Sequence, residues 1–239
     1  MQAKAVVEEF SIEQIVPYFQ PIFDLKNHKV VRFECLSRLI TKDDNIYLPS
    51  EFLYIISRSQ LSAQLTQRMC AISSAYCMPK NMRWSINIFP SDLRDAELVK
   101  WMQSLLGKLN SNLVGVEFRY DSVKNHPHLL HNLIEKLPNV HVTINDVHSF
   151  EDNLLEVIAT GVNAIKIRGE MVKRFARTGE NKTTVENMVS HCNTTNCDLI
   201  AEHIEDDNTL NAVNSLGIHY GQGYYLSQAQ GRRTNLKQA

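Results

Sequence analysis

A closed barrel of alternating strands and helices is the fold class this sequence predicts. Three observations predict it. Eight short, apolar, strand-like pieces recur along the chain, separated mostly by helical segments. The 239 residues suit a single barrel domain, and no low-complexity linker divides them. Nearly every strand-like piece is broken or ended by a carboxylate, amide or lysine, on the rim where such barrels carry their functional groups.

Taken in order, Glu8 to Val16 reads as a short helix with apolar Phe10, Ile12 and Ile15, stopped by Pro17. Tyr18 to Leu25 is strand-like, and Asn27-His28 turns the chain into a second strand, Val30 to Leu36. Pro49-Ser50-Glu51 opens a long helical stretch reaching about Cys77, with Ser50 as a candidate N-cap. The rhythm then becomes regular. Strands at Trp84–Ile88, Leu113–Phe118, Val140–Ile144, Ala164–Ile167 and Asp198–Glu202 precede helices at Ser91–Leu109, His128–Leu137, Phe150–Thr160, within Met171–Cys192, and at Asp206–Leu216. Tyr220 to Leu226 is the last strand-like piece. The organisation is a helical leader over 1–16, a barrel over 17–230 and a polar tail over 231–239.

Composition narrows the function classes. Hydrophobic residues make up 44% and charged residues 21%, as in a soluble globule with a substantial core. Lys and Arg total 25 against 26 acidic residues, which argues against direct nucleic-acid binding. A small anion held by a few local cations stays open. The five cysteines (Cys35, Cys70, Cys77, Cys192, Cys197) are odd in number and lack zinc-ligand spacing, so a reducing cytoplasm is expected. No apolar run is long enough to insert in a bilayer, and Glu8-Glu9 interrupts any signal-peptide core.

The decapeptide Val30 to Leu39 concentrates the chemistry. Glu34 interrupts an apolar, β-branched start, and an unpaired buried carboxylate is costly. Either Arg38 pairs with it locally, or the strand aims Glu34 into a site. Glu34, Asn87, Glu117, Asn145 with Asp146, Lys166, Glu202 and Gln222 all fall at or near strand ends. Carboxylate and amide oxygens without histidine favour hard cations such as magnesium or manganese. Lys166 and Arg38 add positive charge for a phosphate, so the set suggests metal-assisted phosphoryl chemistry.

In this order the motifs resemble those of the EAL-domain family, phosphodiesterases of the bacterial second messenger cyclic-di-GMP. Tyr18-Phe-Gln-Pro-Ile22 resembles its opening Y-Q-P-I, and Glu34-Cys-Leu36 with Arg38 stands where the signature E-A-L stands. Ser85-Ile-Asn-Ile88 resembles V-N-L, and Ala164-Ile-Lys-Ile167 resembles L-K-I-D. Ala201-Glu-His-Ile-Glu205 resembles A-E-G-V-E, and Tyr220-Gly-Gln-Gly-Tyr224 resembles Y-A-Q-G-Y. The resemblance covers about residues 17 to 228.

It implies a modified (β/α)8 barrel of TIM type whose first strand runs antiparallel. It implies metal-ligand positions at Glu34, Asn87, Glu117, Asn145 and Asp146. Lys166 matches the lysine that holds or activates the attacking water, and Glu202 lines the same centre. Gln20, Arg38 and Gln222 match contacts to the nucleotide. Magnesium or manganese is the implied cofactor, and homodimers are common in the family.

Several positions depart from the family pattern. The family's D-D-F-G-T-G is Asn145-Asp-Val-His-Ser-Phe150 here, so the aspartate shared by two metals is an amide and the loop glycines are gone. One charge pair near 4 Å is worth roughly 4 kcal/mol at an effective dielectric of about 20. Losing part of that weakens metal binding about a hundredfold. The second glutamate of E-x-x-E is Tyr120, the K-I-D aspartate is Arg168, and the glycine after Glu202 is His203. His148 and His203 fall at the rim as candidate replacement ligands, whereas His126, His128 and His131 read as a solvated loop.

The resemblance with its departures implies a degenerate member of this signalling family. Such a member is a regulatory module that binds cyclic-di-GMP, a regulatory protein, or both, with little or no hydrolysis. The alternative is an active magnesium- or manganese-dependent phosphodiesterase releasing the linear dinucleotide pGpG, with Lys166 and Glu202 catalytic. A second alternative is a nucleotide-independent antagonist of a transcription regulator.

Overall fold

Strand β1 (Ile15–Asp24) turns through Asp24 to Lys29 into β2 (Lys29–Ile40), and the two run antiparallel from Ile15↔Leu39 to Asp24↔Lys29. The computed structural model describes residues 10–106 and 111–231. A two-residue strand, β3 (Ile46–Tyr47), pairs with the far end of β2. From there the ladder is parallel: β2 to β4 (Trp84–Asn87), β5 (Val114–Arg119), β6 (His141–Val147), β7 (Ala164–Ile167), β8 (Asp198–Ala201) and β9 (Tyr220–Gly221). Strand β9 closes on β1 antiparallel through Phe23↔Gly221 and Asp24↔Tyr220. Eight strands, all but β3, therefore form a closed barrel in which β1 alone opposes both neighbours.

Pro17 does not stop the chain, because β1 includes it. Phe19 bonds outward to Gln230 through its N–H and C=O, at 2.8 and 3.0 Å, and Pro17 and Pro21 share its direction two residues either side. Their missing N–H groups thus fall on the side that the β2 ladder does not use. The expected leader helix over Glu8 to Val16 is replaced, where described, by a single 3-10 turn at Ile12–Gln14, with Ile15 and Val16 already in β1. Residues 1–9 and 232–239, which include most of the expected leader and tail, lie outside the described residues.

Helices coat the barrel. They are α1 (Pro49–Arg58), α2 (Ser62–Cys77), α3 (Ala96–Leu106), α4 (Tyr120–Val123), α5 (Pro127–Lys136), α6 (Asp152–Ala159), α7 (Gly169–Thr178), α8 (Lys182–Thr194) and α9 (Asp207–Ser215). Each longer helix buries one stripe, such as Leu98 and Met102 of α3 or Leu154, Val157 and Ile158 of α6. The long helix expected from Ser50 to Cys77 is two helices, divided near Gln60 at φ +56°, and Ser50 sits inside α1 while Glu51 Oε2 accepts the Leu48 N–H at 2.7 Å. Residues Met171 to Cys192 likewise divide at Gly179 and Asn181, both left-handed. Leu109, the expected end of α3, lies outside the described residues.

The main apolar core lies between barrel and helices, whereas Ile22, Ala164 and Ile200 form a separate small cluster with Val31 and Tyr220. That second cluster floors the lumen. Above it the inward positions are polar, because residues alternate across each strand and every second one faces the axis.

After β9 the chain packs backbone to backbone against Ile204: Ile204 N–H donates to Gln222 O at 3.1 Å, and a Cβ on Gly223 would collide with the Ile204 backbone. Gly223→Ala is expected to destabilise the fold by about 1–3 kcal/mol, read as a lower urea midpoint with an unchanged slope.

Candidate functional site

Strand register brings the rim residues to one level. Glu34 lies opposite Gln20 and Ser85, Asn87 opposite Glu117, and Glu117 opposite Thr143. Lys166 reaches across this level from β7. Its Nζ lies 2.6 Å from Glu34 Oε2, 2.7 Å from Glu117 Oε2 and 3.7 Å from Glu202 Oε1, and donates to Gln222 Oε1 at 3.2 Å. The lysine is wholly buried.

The remaining bonds complete a network. Glu34 accepts from Asn87 Nδ2 at 2.7 Å and from Gln222 Nε2 at 2.9 Å, and Gln222 also donates to Gln20 at 3.1 Å. Ser85 Oγ, not singled out from the sequence, donates to Glu117 at 2.5 Å. Asn145 Nδ2 donates to Asn87 Oδ1 at 2.8 Å, while Asn145 Oδ1 is buried and has no hydrogen-bond partner among the described residues. Glu34, Asn87, Glu117, Asn145, Lys166, Glu202, Gln222 and Gln20 therefore meet in one centre.

Burial opposes ionisation of Glu34, yet the Lys166 ammonium and the bonds from Asn87 and Gln222 hold its carboxyl below the usual range. Burial, reinforced by the nearby Glu34 charge, pushes Glu117 up despite Lys166. Burial works against the charged ammonium, but Glu117, Glu34 and Glu202 together keep Lys166 raised and protonated. Glu202 is pushed up to about 8 by burial, against the pull of Lys166 and with Glu34, Glu117 and Asp146 adding to the rise.

Asp146 stands apart from this network. The β6–β7 register shifts between Ile144 and Val147, and Asp146 takes φ +61° there. Such a bulge re-aims side chains. Arg168 Nε and Nη2 donate to the two Asp146 oxygens at 2.5 and 3.0 Å, and Arg119 Nη2 adds a third bond at 2.7 Å. Burial would raise the Asp146 carboxyl, but Arg168 and Arg119 hold it low. Arg119 was not marked as a site residue by its sequence; its one signal is its place two residues beyond Glu117 on the same strand.

Arg38 does not pair with Glu34. Its Nη1 donates to Ser37 O at 2.8 Å and its guanidinium lies 5.6 Å over the Tyr18 ring, so the local ion pair is ruled out in favour of a strand that aims Glu34 inward. Gln20, Glu34, Glu202, His203, Gln222 and Tyr224 line a cleft of about 330 Å³ at this rim. His203 takes φ +55° where the family motif has glycine, and its Nδ1 faces Glu205 at 3.7 Å. His148 bonds the Asp146 carbonyl at 3.1 Å. Neither histidine makes a recorded bond to Glu34, Asn87 or Glu117.

As a cation site, the donors divide. Glu34, Asn87, Glu117 and the unpartnered Asn145 oxygen are the donors a hard cation would use, but Lys166 holds both carboxylates and Asn145 occupies the Asn87 oxygen. Asp146 is taken up by two guanidinium groups and does not fit a second. Among the described residues no three His, Cys, Asp or Glu side chains are arranged to hold a metal ion.

The fold and this centre define an α/β barrel with a lysine-neutralised carboxylate cluster at its C-terminal rim. Residues 3–229 match the model of the EAL domain, and the chain belongs to that family. The cyclic di-GMP phosphodiesterase TpdA of Vibrio parahaemolyticus is 22% identical over 220 residues, which are 90% of this chain and 37% of TpdA. The chain spans about a third of the length of the curated relatives it matches. The EAL domain of Xanthomonas citri FimX, solved in complex with c-diGMP, superposes with a TM-score of 0.87 at 13% identity, covering 100% of this chain and 98% of that one. Bacillus subtilis YkuI, solved with c-di-GMP and calcium, superposes with a TM-score of 0.76 at 17% identity, covering 100% and 60%. At these identities the structural likeness concerns the fold. No helix among the described residues is long and apolar enough to cross a membrane.

Removing the central cation leaves two buried carboxylates facing each other. Lys166→Met is expected to cost about 3–5 kcal/mol of stability, measured by chemical denaturation at neutral pH. Glu202 gives a second check. Its folded pKa lies above its unfolded value, so the native state retains a proton that the unfolded chain releases. In chelator, the stability of the parent relative to Glu202→Gln should fall between about pH 4.5 and 8 and level off above.

Proposed function

We propose that this chain is a degenerate EAL domain that binds cyclic-di-GMP, a regulatory protein, or both, with little or no hydrolysis. One observation carries the reading: Asp146 is clamped by Arg119 and Arg168 beside Asn145. In two-metal phosphodiester hydrolysis a second cation shares the clamp on attacking and leaving oxygens. Here the Asn145 amide lacks the charge to attract it, and the guanidinium groups satisfy the adjacent carboxylate. One magnesium or manganese ion at Glu34, Asn87, Glu117 and Asn145 would supply a Lewis acid at one oxygen only.

The binding surface survives these changes. Gln20 and Gln222 line the rim cleft and offer amide groups to a nucleotide, and the Arg38 guanidinium over Tyr18 offers a cation to its phosphates, whereas Arg119 and Arg168 are engaged by Asp146. The FimX and YkuI structures hold this dinucleotide in the same fold. The active-enzyme reading rests on a different observation, the intact assembly of Glu34, Asn87, Glu117, Lys166, Glu202 and Gln222, and on the phosphodiesterase relative TpdA.

The test is hydrolysis of cyclic-di-GMP by the parent, Asn145→Asp, and Asn145→Asp combined with Arg168→Asp, with magnesium or manganese. The parent is expected to be inert, and the double variant to show the largest recovery. Turnover by the parent at ordinary enzyme rates overturns the reading. Calorimetry in chelator is expected to show metal-independent cyclic-di-GMP binding, about tenfold weaker in Arg38→Gln through the lost charge-assisted bond. Absence of both binding and hydrolysis would leave the protein-directed antagonist.

A further inference from the structure

The opposite mouth of the barrel carries a second concentration of positive charge. A cleft of about 650 Å³ opens there, lined by Arg32, Arg83, His141, Asn163, Leu137 and Val140 among others, with no carboxylate among the described lining residues. Arg32 projects from the middle of β2, two residues before Glu34, and only 8% of it is exposed. Its Nη1 donates to Trp84 O at 3.0 Å. Gly115 makes room for it, since a Cβ there would stand 2.8 Å from Arg32 Nη1 and 3.2 Å from His141 O.

A buried guanidinium needs compensation. The Arg32 guanidinium is a cation, with Glu117 as its main opposing charge and Arg83 adding repulsion. His141 is driven down to about 3 by burial and by Arg32, Arg83 and Lys166, and stays neutral. Tyr220 feels Asp198, Asp24 and Arg83, and neither aspartate is among the described residues lining the cleft. Arg32 and Arg83 thus face the same open space with five-donor forks suited to paired oxygens. Apolar Leu137 and Val140 form part of the wall beside them.

We propose that this lower mouth is a binding site for a small molecule bearing an oxyanion, a phosphate or carboxylate, received by Arg32 and Arg83. The site is separate from the rim centre and independent of the function proposed for it.

The test is calorimetric titration of the full chain with inorganic phosphate and, separately, with malonate, at constant ionic strength in chloride buffer. Amide NMR shifts at Gly115, Gly161 and Asn163 locate the bound anion. Saturable binding of either anion is expected, kept in Arg168→Gln and weakened about tenfold or more in the exposed Arg83→Gln. Response to phosphate alone assigns a phosphorylated ligand, and response to malonate alone a carboxylate. If neither anion saturates, or if Arg83→Gln binds as the parent does, the proposal fails. Arg32→Lys keeps the charge without the fork and should weaken binding in the same direction, provided its denaturation midpoint matches the parent.

Discussion

The ammonium of Lys166, wedged between the carboxylates of Glu34 and Glu117 at 2.6 and 2.7 Å, is the contact on which the barrel interior depends. It ties β7 to β2 and β5 across the lumen. Two buried glutamates this close would repel strongly without it, since charges inside a protein are poorly screened. Arg32, one inward position below Glu34, adds a second cation to the same enclosed space. Two cations then face two carboxylates, and Glu202, pushed up to about 8, remains neutral at physiological pH. The lumen is a balanced ionic column standing on the apolar floor of Ile22, Ala164 and Ile200.

The β6 bulge decides how the rim of this column is used. Asn145 turns inward to Asn87, while Asp146, at φ +61°, turns to Arg119 and Arg168. Adjacent residues in the family motif thus serve different neighbours in this chain. An aspartate at 145 would place a further negative charge beside Glu34 and Glu117. An amide there adds no such charge.

Much of this was legible in the sequence, for physical reasons. Short apolar runs ending in Glu34, Asn87, Glu117, Lys166 and Glu202 marked strands whose tips share a rim, because a parallel barrel puts every strand end on one face. The resemblance to the EAL family implied that β1 is the antiparallel member. What stayed hidden depended on partners far apart in the chain. Pro17 read as a stop because nothing local shows that its missing N–H faces the unused side of β1. Arg38 stayed open as a partner for Glu34 because four residues separate them, whereas the partner found is 132 residues away. The Arg119–Asp146–Arg168 clamp draws on β5, β6 and the loop after β7, and no single motif contains it. Arg32 was not singled out from the sequence, because Gly115 and Trp84, which enclose it, lie on other strands.

On the reading proposed for the rim, the exchange of a metal ligand for an arginine clamp separates binding from turnover. A guanidinium neutralises phosphate oxygens and fixes them through directed hydrogen bonds, which is sufficient for affinity and specificity. It cannot lower the pKa of a bound water to near neutrality, as a divalent cation does, and it has no open coordination position for a nucleophile. Lys166 does not supply that function by itself, because its proton is held by the Glu34 and Glu117 carboxylates and it offers no free pair to accept another. A site rebuilt in this way keeps the groups that recognise a phosphodiester and lacks those that generate hydroxide. That combination is what a nucleotide-responsive regulatory domain requires.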